Sequence, residues 1–344
     1  MSEMLTLEAF EEASIKVKEV TQETKLVESP YLTAATGNRV WLKPENMQRT
    51  GAYKVRGAYY KISTLTPEEL SRGIITASAG NHAQGVAFAA TRAGAKSIVV
   101  MPTTTPLIKV ERTKDYGAEV VLHGDVYDEA CEYAMHLAET EGYTFIHPFN
   151  DPVVATGQGT IAMEIVQELP LVDTILVPIG GGGLSCGVST FAKLYNPKIR
   201  VIGVEPAGAA CMKASVEAGH VVKLPAASTI ADGTAVLEPG DLVYPYVRNN
   251  VDEIITVEDE ELRPATGGAK KRSIWESYVS IAQAGGGGAP GGIYLRPRHG
   301  ADACFYECRD TGRDQRGPQR RRSGADRHAG LPFQYLPSAS APRG

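Results

Sequence analysis

One lysine, Lys54, lies in a segment that combines small and apolar neighbours with two glycines, Gly51 and Gly57. Glycine has no Cβ, so both positions allow another backbone or a ligand to approach the lysine closely. A lysine amine held among apolar groups loses its proton more readily than one in water. Because a neutral amine is the nucleophile of Schiff-base chemistry, Lys54 is the first candidate catalytic residue. A solvated surface charge is the more frequent role of any single lysine.

Four consecutive glycines, Gly180 to Gly183, stand between a predicted strand and a predicted helix. Their backbone N–H groups can converge at the start of that helix, where an anion such as phosphate is stabilised. The loop is not a P-loop, because no Lys-Ser or Lys-Thr pair follows it. It also lacks the G-x-G-x-x-G pattern, since the third glycine would fall on Ser185 or Cys186. Glu205 nevertheless ends the next predicted strand, where a ribose-binding acid could lie, so an NAD-dependent dehydrogenase stays an alternative.

The turn Ser78-Ala79-Gly80-Asn81-His82 brings a hydroxyl, an amide and an imidazole to the start of another predicted helix. Ser78 alone could be a helix N-cap. Asn81 and His82 add donors beyond those that capping requires, and together they suit a carboxylate or a phenolate-like oxygen. An amine nucleophile, a phosphate site and a carboxylate site fit pyridoxal 5′-phosphate with an amino-acid substrate.

The elements that must position these turns alternate between strand and helix. Such alternation predicts an α/β fold with open parallel sheets and helices on both faces, in which ligands bind at the carboxyl ends of strands. The predicted strands include Gly73 to Ala77, Ser97 to Met101, Glu119 to Leu122, Tyr143 to Ile146, Thr174 to Pro178, Lys198 to Val204 and Ile254 to Val257. The predicted helices include Leu7 to Glu19, Val55 to Ile62, Ala83 to Ala93, Tyr127 to Glu141, Val153 to Glu168 and Leu184 to Tyr195.

Length and composition set outer limits. A chain of 344 residues can bury a large core and is long enough for about two domains. No apolar run is long enough to predict a transmembrane helix, and the first residues do not resemble a secretory signal. The five cysteines form no C-x-x-C pair, which argues against structural zinc and disulfides, so we predict no metal site and a reduced, cytoplasmic protein.

Four motifs, in this order along the chain, resemble those of the fold-type II pyridoxal-phosphate enzymes, and most closely the threonine dehydratase (threonine ammonia-lyase) group. They are Asn46 to Lys54, Ser78 to His82, Gly180 to Gly183 after Val-Pro-Ile, and Ala231 to Val236. The resemblance runs from about residue 5 to Leu262. It implies a large domain of residues 1–46 and 150–262 and a small domain of residues 47–149.

The resemblance also implies roles for the matching residues. Lys54 would carry the Schiff base and move the α-proton of the substrate. Tyr53, at a position usually occupied by phenylalanine, would lie beside the cofactor ring. The implied cofactor-binding set is Lys54, Tyr53, Asn81, Gly180, Gly181, Gly182, Gly183 and Leu184. The implied substrate-binding set is Ser78, Asn81 and His82.

The implied reaction is β-elimination of a small-molecule amino acid, with threonine giving 2-oxobutanoate and serine giving pyruvate, each with ammonia. A homodimer or homotetramer is implied, with no nucleic-acid or membrane partner, and a biosynthetic and a catabolic role both stay open. A serine racemase-like enzyme of the same family is the alternative. Racemases of this type have a second catalytic serine where this chain has Ala79. They also have an acidic metal ligand where it has Ala210, Cys211 and Met212.

The family pattern ends at Leu262. Residues 263–344 hold fourteen Lys and Arg against six Asp and Glu, with only nine Leu, Ile, Val or Phe. This Gly-, Arg- and Pro-rich composition is too poor in large apolar side chains for a core segment. We therefore expect a disordered or frameshifted tail, and an inactive frameshifted pseudoenzyme is a further alternative. Few aromatic residues interleave with the basic ones, which disfavours a nucleic-acid-binding tail.

Overall fold

The computed structural model of the protein describes residues 5–262 and the strand 280–284. It contains ten strands in two sheets, and the turns discussed above follow some of these strands. In chain order the strands are β1 Val27–Glu28, β2 Arg39–Lys43, β3 Ile74–Ala77, β4 Ser97–Met101, β5 Glu119–Leu122, β6 Thr144–Phe145, β7 Val172–Pro178, β8 Arg200–Pro206, β9 Glu253–Val257 and β10 Ser280–Ala284. All described residues fall in one compact unit, so the division into a large and a small domain stays a prediction.

Twelve α-helices accompany the strands in the described part of the chain. They are α1 Leu7–Val17, α2 Pro30–Thr36, α3 Val55–Ser63, α4 Pro67–Arg72, α5 Asn81–Arg92, α6 Leu107–Asp115, α7 Tyr127–Glu141, α8 Pro152–Glu168, α9 Gly183–Tyr195, α10 Cys211–Ala218, α11 Tyr244–Asn250 and α12 Asp259–Leu262. The sequence did not predict α2, α10 and α11. Each has at most eight residues, and both α2 and α11 have a proline at their first or second residue, which also signals a turn.

The four-stranded sheet has the order β5-β4-β3-β6, and all its neighbours are parallel. Its middle strand β3 is buried along its whole length, which explains the apolar sequence that predicted it. The chain runs from β3 to β4 on one side, while β6 lies on the other side of β3. This change of direction is a topological switch point, where open α/β sheets form a ligand crevice at their carboxyl edge.

The six-stranded sheet has the order β1-β2-β10-β7-β8-β9. Strands β7, β8 and β9 are parallel, as predicted. Strand β10 is antiparallel to both β2 and β7 and joins the two halves of the sheet. The sequence did not predict β10, because Ser-Ile-Ala-Gln-Ala has one β-branched residue and no turn signal of its own. The rest of the predicted tail, residues 263–279 and 285–344, lies outside the described residues.

Helix α8 lies between α3 and α9 and packs against both through glycines. A methyl group placed on Gly157 would lie 2.7 Å from the Cα of Gly57 in α3. One placed on Gly159 would lie 2.7 Å from the carbonyl oxygen of Gly187 in α9. Because a Cβ at either contact would overlap its neighbour, the three helices can approach this closely only with glycine at these positions. The predicted need for a glycine at 57 therefore arises from helix packing.

A buried ion cluster lies beside the same helices. The guanidinium of Arg56 is fully buried and contacts Glu45 at 2.8 Å and Glu164 at 2.6 Å. Glu164 also pairs with the buried Lys43 at 2.6 Å. Burial alone would lower the pKa of Arg56, but the two carboxylates offset it and hold that pKa above its ordinary value. Burial would raise the pKa of Glu164, yet Arg56 and Lys43 keep that pKa below its ordinary value.

Glu205, at the end of β8, anchors helix α10. Its two carboxylate oxygens accept the backbone N–H groups of Met212, at 2.9 Å, and of Lys213, at 2.8 Å. The N-cap residue of α10, Ala210, has no side chain that could do this. Burial raises the pKa of Glu205 to about 7, although the two amides and the charge of Lys213 act in the opposite direction.

Replacement of Gly157 by alanine tests the glycine contact. We expect Gly157→Ala to lower the free energy of unfolding by about 1–3 kcal/mol, because the added methyl group forces α3 away from α8. Gln167→Ala, on the exposed side of α8, is the control and should change it by less than about 0.5 kcal/mol. Chemical denaturation measures both, and equal effects of the two variants would contradict the packing argument.

The raised pKa of Glu205 predicts a pH-dependent contribution to stability. The folded protein favours the protonated carboxyl, so this contribution is complete below the unfolded pKa and is lost as the pH rises through about 7. Between pH 5 and 8 the wild type should therefore lose about 1–3 kcal/mol relative to Glu205→Gln, which has no charge to bury. Thermal unfolding across this range measures the difference. Glu217→Gln, on the exposed side of α10, keeps Glu205 and should follow the pH dependence of the wild type.

Proline substitution tests β10. Ala282 lies opposite Trp41 of β2 and Ile175 of β7, so Ala282→Pro removes a ladder donor between two partner strands. We expect a loss of about 1–3 kcal/mol in the free energy of unfolding. Ser280→Pro is the control, because Ser280 is the first residue of the strand, where proline is tolerated. Equal stabilities of the two variants would argue against the central position of β10.

Candidate active site

Lys54 lies at the N-terminus of α3 and its side chain is half-buried. Its Nζ donates a hydrogen bond to the carbonyl oxygen of Pro148 at 3.5 Å. The charge of Lys54 contributes to lowering the pKa values of both His82 and His147, so the amine lies close to these two rings. Helix α5 approaches the lysine backbone through Gly85, where a methyl group would lie 3.2 Å from the Lys54 carbonyl carbon. Glycine contacts therefore position Lys54 against α5 as well as α8.

The turn Ser78 to His82 joins β3 to α5, as predicted. The hydroxyl of Ser78 accepts the N–H of Gly80 at 3.3 Å, while the N-cap position of α5 is Gly80, without a side-chain cap. Ser78 and Asn81 are half-buried and so are open to a ligand. The first N–H groups of α5, beginning with Asn81, have no acceptor within the helix. The turn can therefore bind an anionic oxygen through backbone and side-chain donors together.

His82 lies in the predicted turn, but its imidazole is bonded inside the protein. Its side chain is buried, and its Nε2 bonds to the carbonyl oxygen of Ile146 at 3.0 Å, which assigns the ring proton to Nε2. Burial, with a further contribution from Lys54, lowers the pKa of His82 to about 3, so the ring is neutral. The predicted donation from the imidazole to a substrate carboxylate does not match this geometry. The ring instead ties α5 to the end of β6, and His82 can contribute its backbone N–H.

The glycine loop is enclosed by neighbouring chain segments. A methyl group on Gly181 would overlap the ring of Phe149, and one on Gly183 would lie 2.9 Å from the Phe149 Cα. A methyl group on Gly180 would meet the backbone of Thr234 at 2.9 Å, and Gly182 has a positive φ of 100°. In the described part of the chain, the amides of Gly180 to Gly182 donate to no backbone carbonyl. The loop thus offers amide donors at the N-terminus of α9, as a phosphate site requires.

A fourth segment, His147 to Asn150, completes the site, and sequence reasoning assigned it no function. It follows β6, directly across the switch point from the Ser78 turn. It contacts Lys54 through Pro148 and the glycine loop through Phe149. The sequence contained no direct signal for this role, because the order of strands that brings β6 beside β3 cannot be deduced from spacing alone.

The segment around the 3-10 turn Asp232–Thr234 lies against the other side of the glycine loop. Its Asp232 forms an ion pair with Lys109 of α6 at 3.6 Å, and both side chains are substantially exposed. This motif resembled the family signature in the sequence, and the structure brings it next to Gly180. An exposed ion pair of this kind contributes little to stability.

The geometry weakens the dehydrogenase alternative. Both oxygens of Glu205 are occupied by backbone amides of α10, so the carboxylate is not presented to a ribose or a cation. Among the described residues, no three His, Cys, Asp or Glu side chains are grouped so that they could hold a metal ion. Cys131, Cys186 and Cys211 are free thiols. None of the helices described has the length and apolar character needed to cross a bilayer.

Comparisons with known proteins agree with this arrangement of turns. The chain is 47% identical over 262 residues to an L-threonine ammonia-lyase of Thermotoga maritima, an alignment that covers 76% of this chain and 65% of the relative. The chain thus spans less than two thirds of that relative's length.

The chain is also similar to solved structures. A threonine deaminase isoform from Solanum lycopersicum superposes with a TM-score of 0.71 at 41% identity, over 75% of this chain and 76% of that one. A maize serine racemase superposes with a TM-score of 0.73 at 37% identity, over 75% and 78% of the two chains. The profile of the family described as pyridoxal-phosphate dependent enzyme matches residues 17–269. This match covers most of the chain, which therefore belongs to the family of pyridoxal-phosphate dependent enzymes.

Proposed function

We propose that the chain is a threonine ammonia-lyase, which converts threonine into 2-oxobutanoate and ammonia and serine into pyruvate and ammonia. The observation that carries the proposal is that one turn, residues 147–150, contacts both the Lys54 amine, through Pro148, and the glycine loop, through Phe149. The similarity to threonine ammonia-lyases supports threonine as the substrate. Assembly into a homodimer or homotetramer stays a prediction.

The residues of the site fit the family's cofactor. Pyridoxal phosphate supplies an aldehyde that an amine can attack and a ring that accepts electrons from the α-carbon of an amino acid. The glycine loop and Leu184, in the first turn of α9, supply backbone donors for the phosphate, and a Cβ at Gly180 or Gly181 would push the loop away from Thr234 or Phe149. Tyr53 is half-buried against the core around α8 and α9, and Asn81 is the first residue of α5. We assign both to the cofactor ring.

The roles of the remaining residues follow from their contacts. Lys54 binds the cofactor and takes the α-proton of the substrate at Nζ, while the Pro148 carbonyl orients that amine. Ser78, Asn81 and the backbone N–H of His82 bind the substrate carboxylate at the start of α5. Loss of the α-proton and the β-hydroxyl releases water and an enamine, which water then converts into the keto acid and ammonia.

A serine racemase activity is the second candidate, because the fold is equally similar to a solved serine racemase. Two features oppose it. Ala79 has no hydroxyl to protonate the second face of the substrate. Glu205, the nearest acid to the expected cation site, is bonded to α10 instead. Assay of D-serine formed from L-serine distinguishes the two activities. The inactive pseudoenzyme is the third candidate and predicts neither product.

Removal of the Lys54 amine tests the proposal. We expect Lys54→Ala to lower the rate of keto-acid formation from threonine by about 10³-fold or more, because both cofactor attachment and proton transfer are lost. The visible absorbance band of cofactor joined to a lysine should also disappear. Lys114→Ala, at an exposed position of α6, is the matched control and should keep both. A wild-type protein without the band and without product would instead favour the pseudoenzyme.

A further inference from the structure

His147 lies at the carboxyl end of the four-stranded sheet, beside the switch point. The residue before it, Ile146, is tied to two other elements through its carbonyl oxygen. That oxygen accepts the hydroxyl of Thr76 in β3 at 2.8 Å and the Nε2–H of His82 in α5 at 3.0 Å. The chain therefore enters the segment His147 to Asn150 from a fixed point.

The imidazole of His147 fixes the turn that follows. Its Nδ1 accepts the backbone N–H of Phe149 at 3.2 Å and that of Asn150 at 2.8 Å. A nitrogen that accepts two hydrogen bonds carries a lone pair, so the ring proton is on Nε2. The ring also packs edge-on against Phe149, with centroids 4.7 Å apart and planes at 88°. These contacts hold the residues of the turn in one conformation.

The same turn contacts both Lys54 and the glycine loop. The carbonyl oxygen of Pro148 accepts the Lys54 amine, and the ring of Phe149 lies against Gly181. Asn150 binds the side chain of Asp241 at 2.7 Å and the N–H of Leu242 at 2.8 Å. Nearby, Gly240 donates its N–H to the carbonyl oxygen of Gly181 at 3.0 Å, so the turn is linked to the glycine loop by a second route.

The electrostatic surroundings keep the ring neutral. Burial lowers the pKa of His147 to about 4, and the charge of Lys54 acts in the same direction, while Asp151 and Asp241 oppose them. Protonation of Nδ1 would break both hydrogen bonds to the backbone. A neutral ring is therefore the form that keeps the turn intact at neutral pH.

We propose that His147 is a positioning residue, whose Nδ1 lone pair holds the turn 147–150 so that Pro148 orients the Lys54 amine and Phe149 supports the phosphate-binding glycine loop. The consequence for cofactor binding rests on the proposed role of Lys54. The fixing of the turn itself does not.

Three variants separate these statements. His147→Ala removes the acceptor. His147→Asn keeps a side-chain oxygen that can accept N–H groups two and three residues further on. His136→Ala, at an exposed position of α7, is the control. Each full-length protein is titrated with pyridoxal phosphate while the visible band is recorded, and hydrogen exchange of the peptide covering residues 147–150 is followed without cofactor.

We expect His147→Ala to weaken cofactor binding by about 10- to 100-fold, since two hydrogen bonds are lost, and to accelerate exchange of the turn. His147→Asn should restore binding to within about threefold and slow exchange again, because one acceptor returns. His136→Ala should match the wild type in both measurements.

Two results would overturn the proposal. One is His147→Ala with wild-type exchange in the turn, and the other is His147→Asn with a defect as large as that of His147→Ala. A wild type that gives no band would refute the proposed function of Lys54, while the exchange data would still decide whether His147 fixes the turn. Faster exchange with unchanged cofactor affinity would show that the turn does not control the site.

Discussion

The close packing of α8 against α3 and α9 is the constraint on which the site depends. Lys54 lies at the N-terminus of α3, and the glycine loop leads into the N-terminus of α9. The separation of these two helix N-termini therefore depends on two helix–helix contacts, each made through paired glycines. Dispersion forces fall steeply with separation, so helices whose backbones are in direct contact have little freedom to move apart. The relative positions of the two helix N-termini are thus set by the core, and the turn 147–150 links the amine and the loop that they carry.

The ion cluster around Arg56 acts on the same interface from the side. Arg56 belongs to α3, and Glu164 to α8. Glycine contacts alone allow one helix to slide or rotate against the other, whereas this ion pair requires one relative orientation. Buried ion pairs gain little net stability over apolar residues of the same shape, because both charges lose their hydration. Their geometric demands are strict, however, since an unpaired buried charge is very unfavourable. The cluster therefore restricts sliding and rotation of α3 and complements the glycines.

The sequence predicted the parts of this protein that depend on local chemistry. The strand-turn-helix units were visible because alternation and glycine turns are local signals, and the Ser78 turn and the glycine loop each follow a strand and precede a helix as predicted. What it missed depends on long-range order. The neutral, internally bonded state of His82 and the participation of His147 both follow from β6 pairing with β3. Strand β10 was missed because its stability comes from two partners far away in the chain.

The central place of β10 also affects the order of assembly. In the described sheet, β2 pairs only with β1 and β10, so β1 and β2 are linked to the parallel strands through residues that are synthesised after all of these strands. During translation, β2 and β7 each keep an unpaired edge until Ser280–Ala284 leaves the ribosome. Contacts so distant in sequence close slowly, and open strand edges are sites of intermolecular pairing. While these edges stay open, the nascent chain already contains Lys54, the glycine loop and the nine other described strands, and its exposed edges favour aggregation.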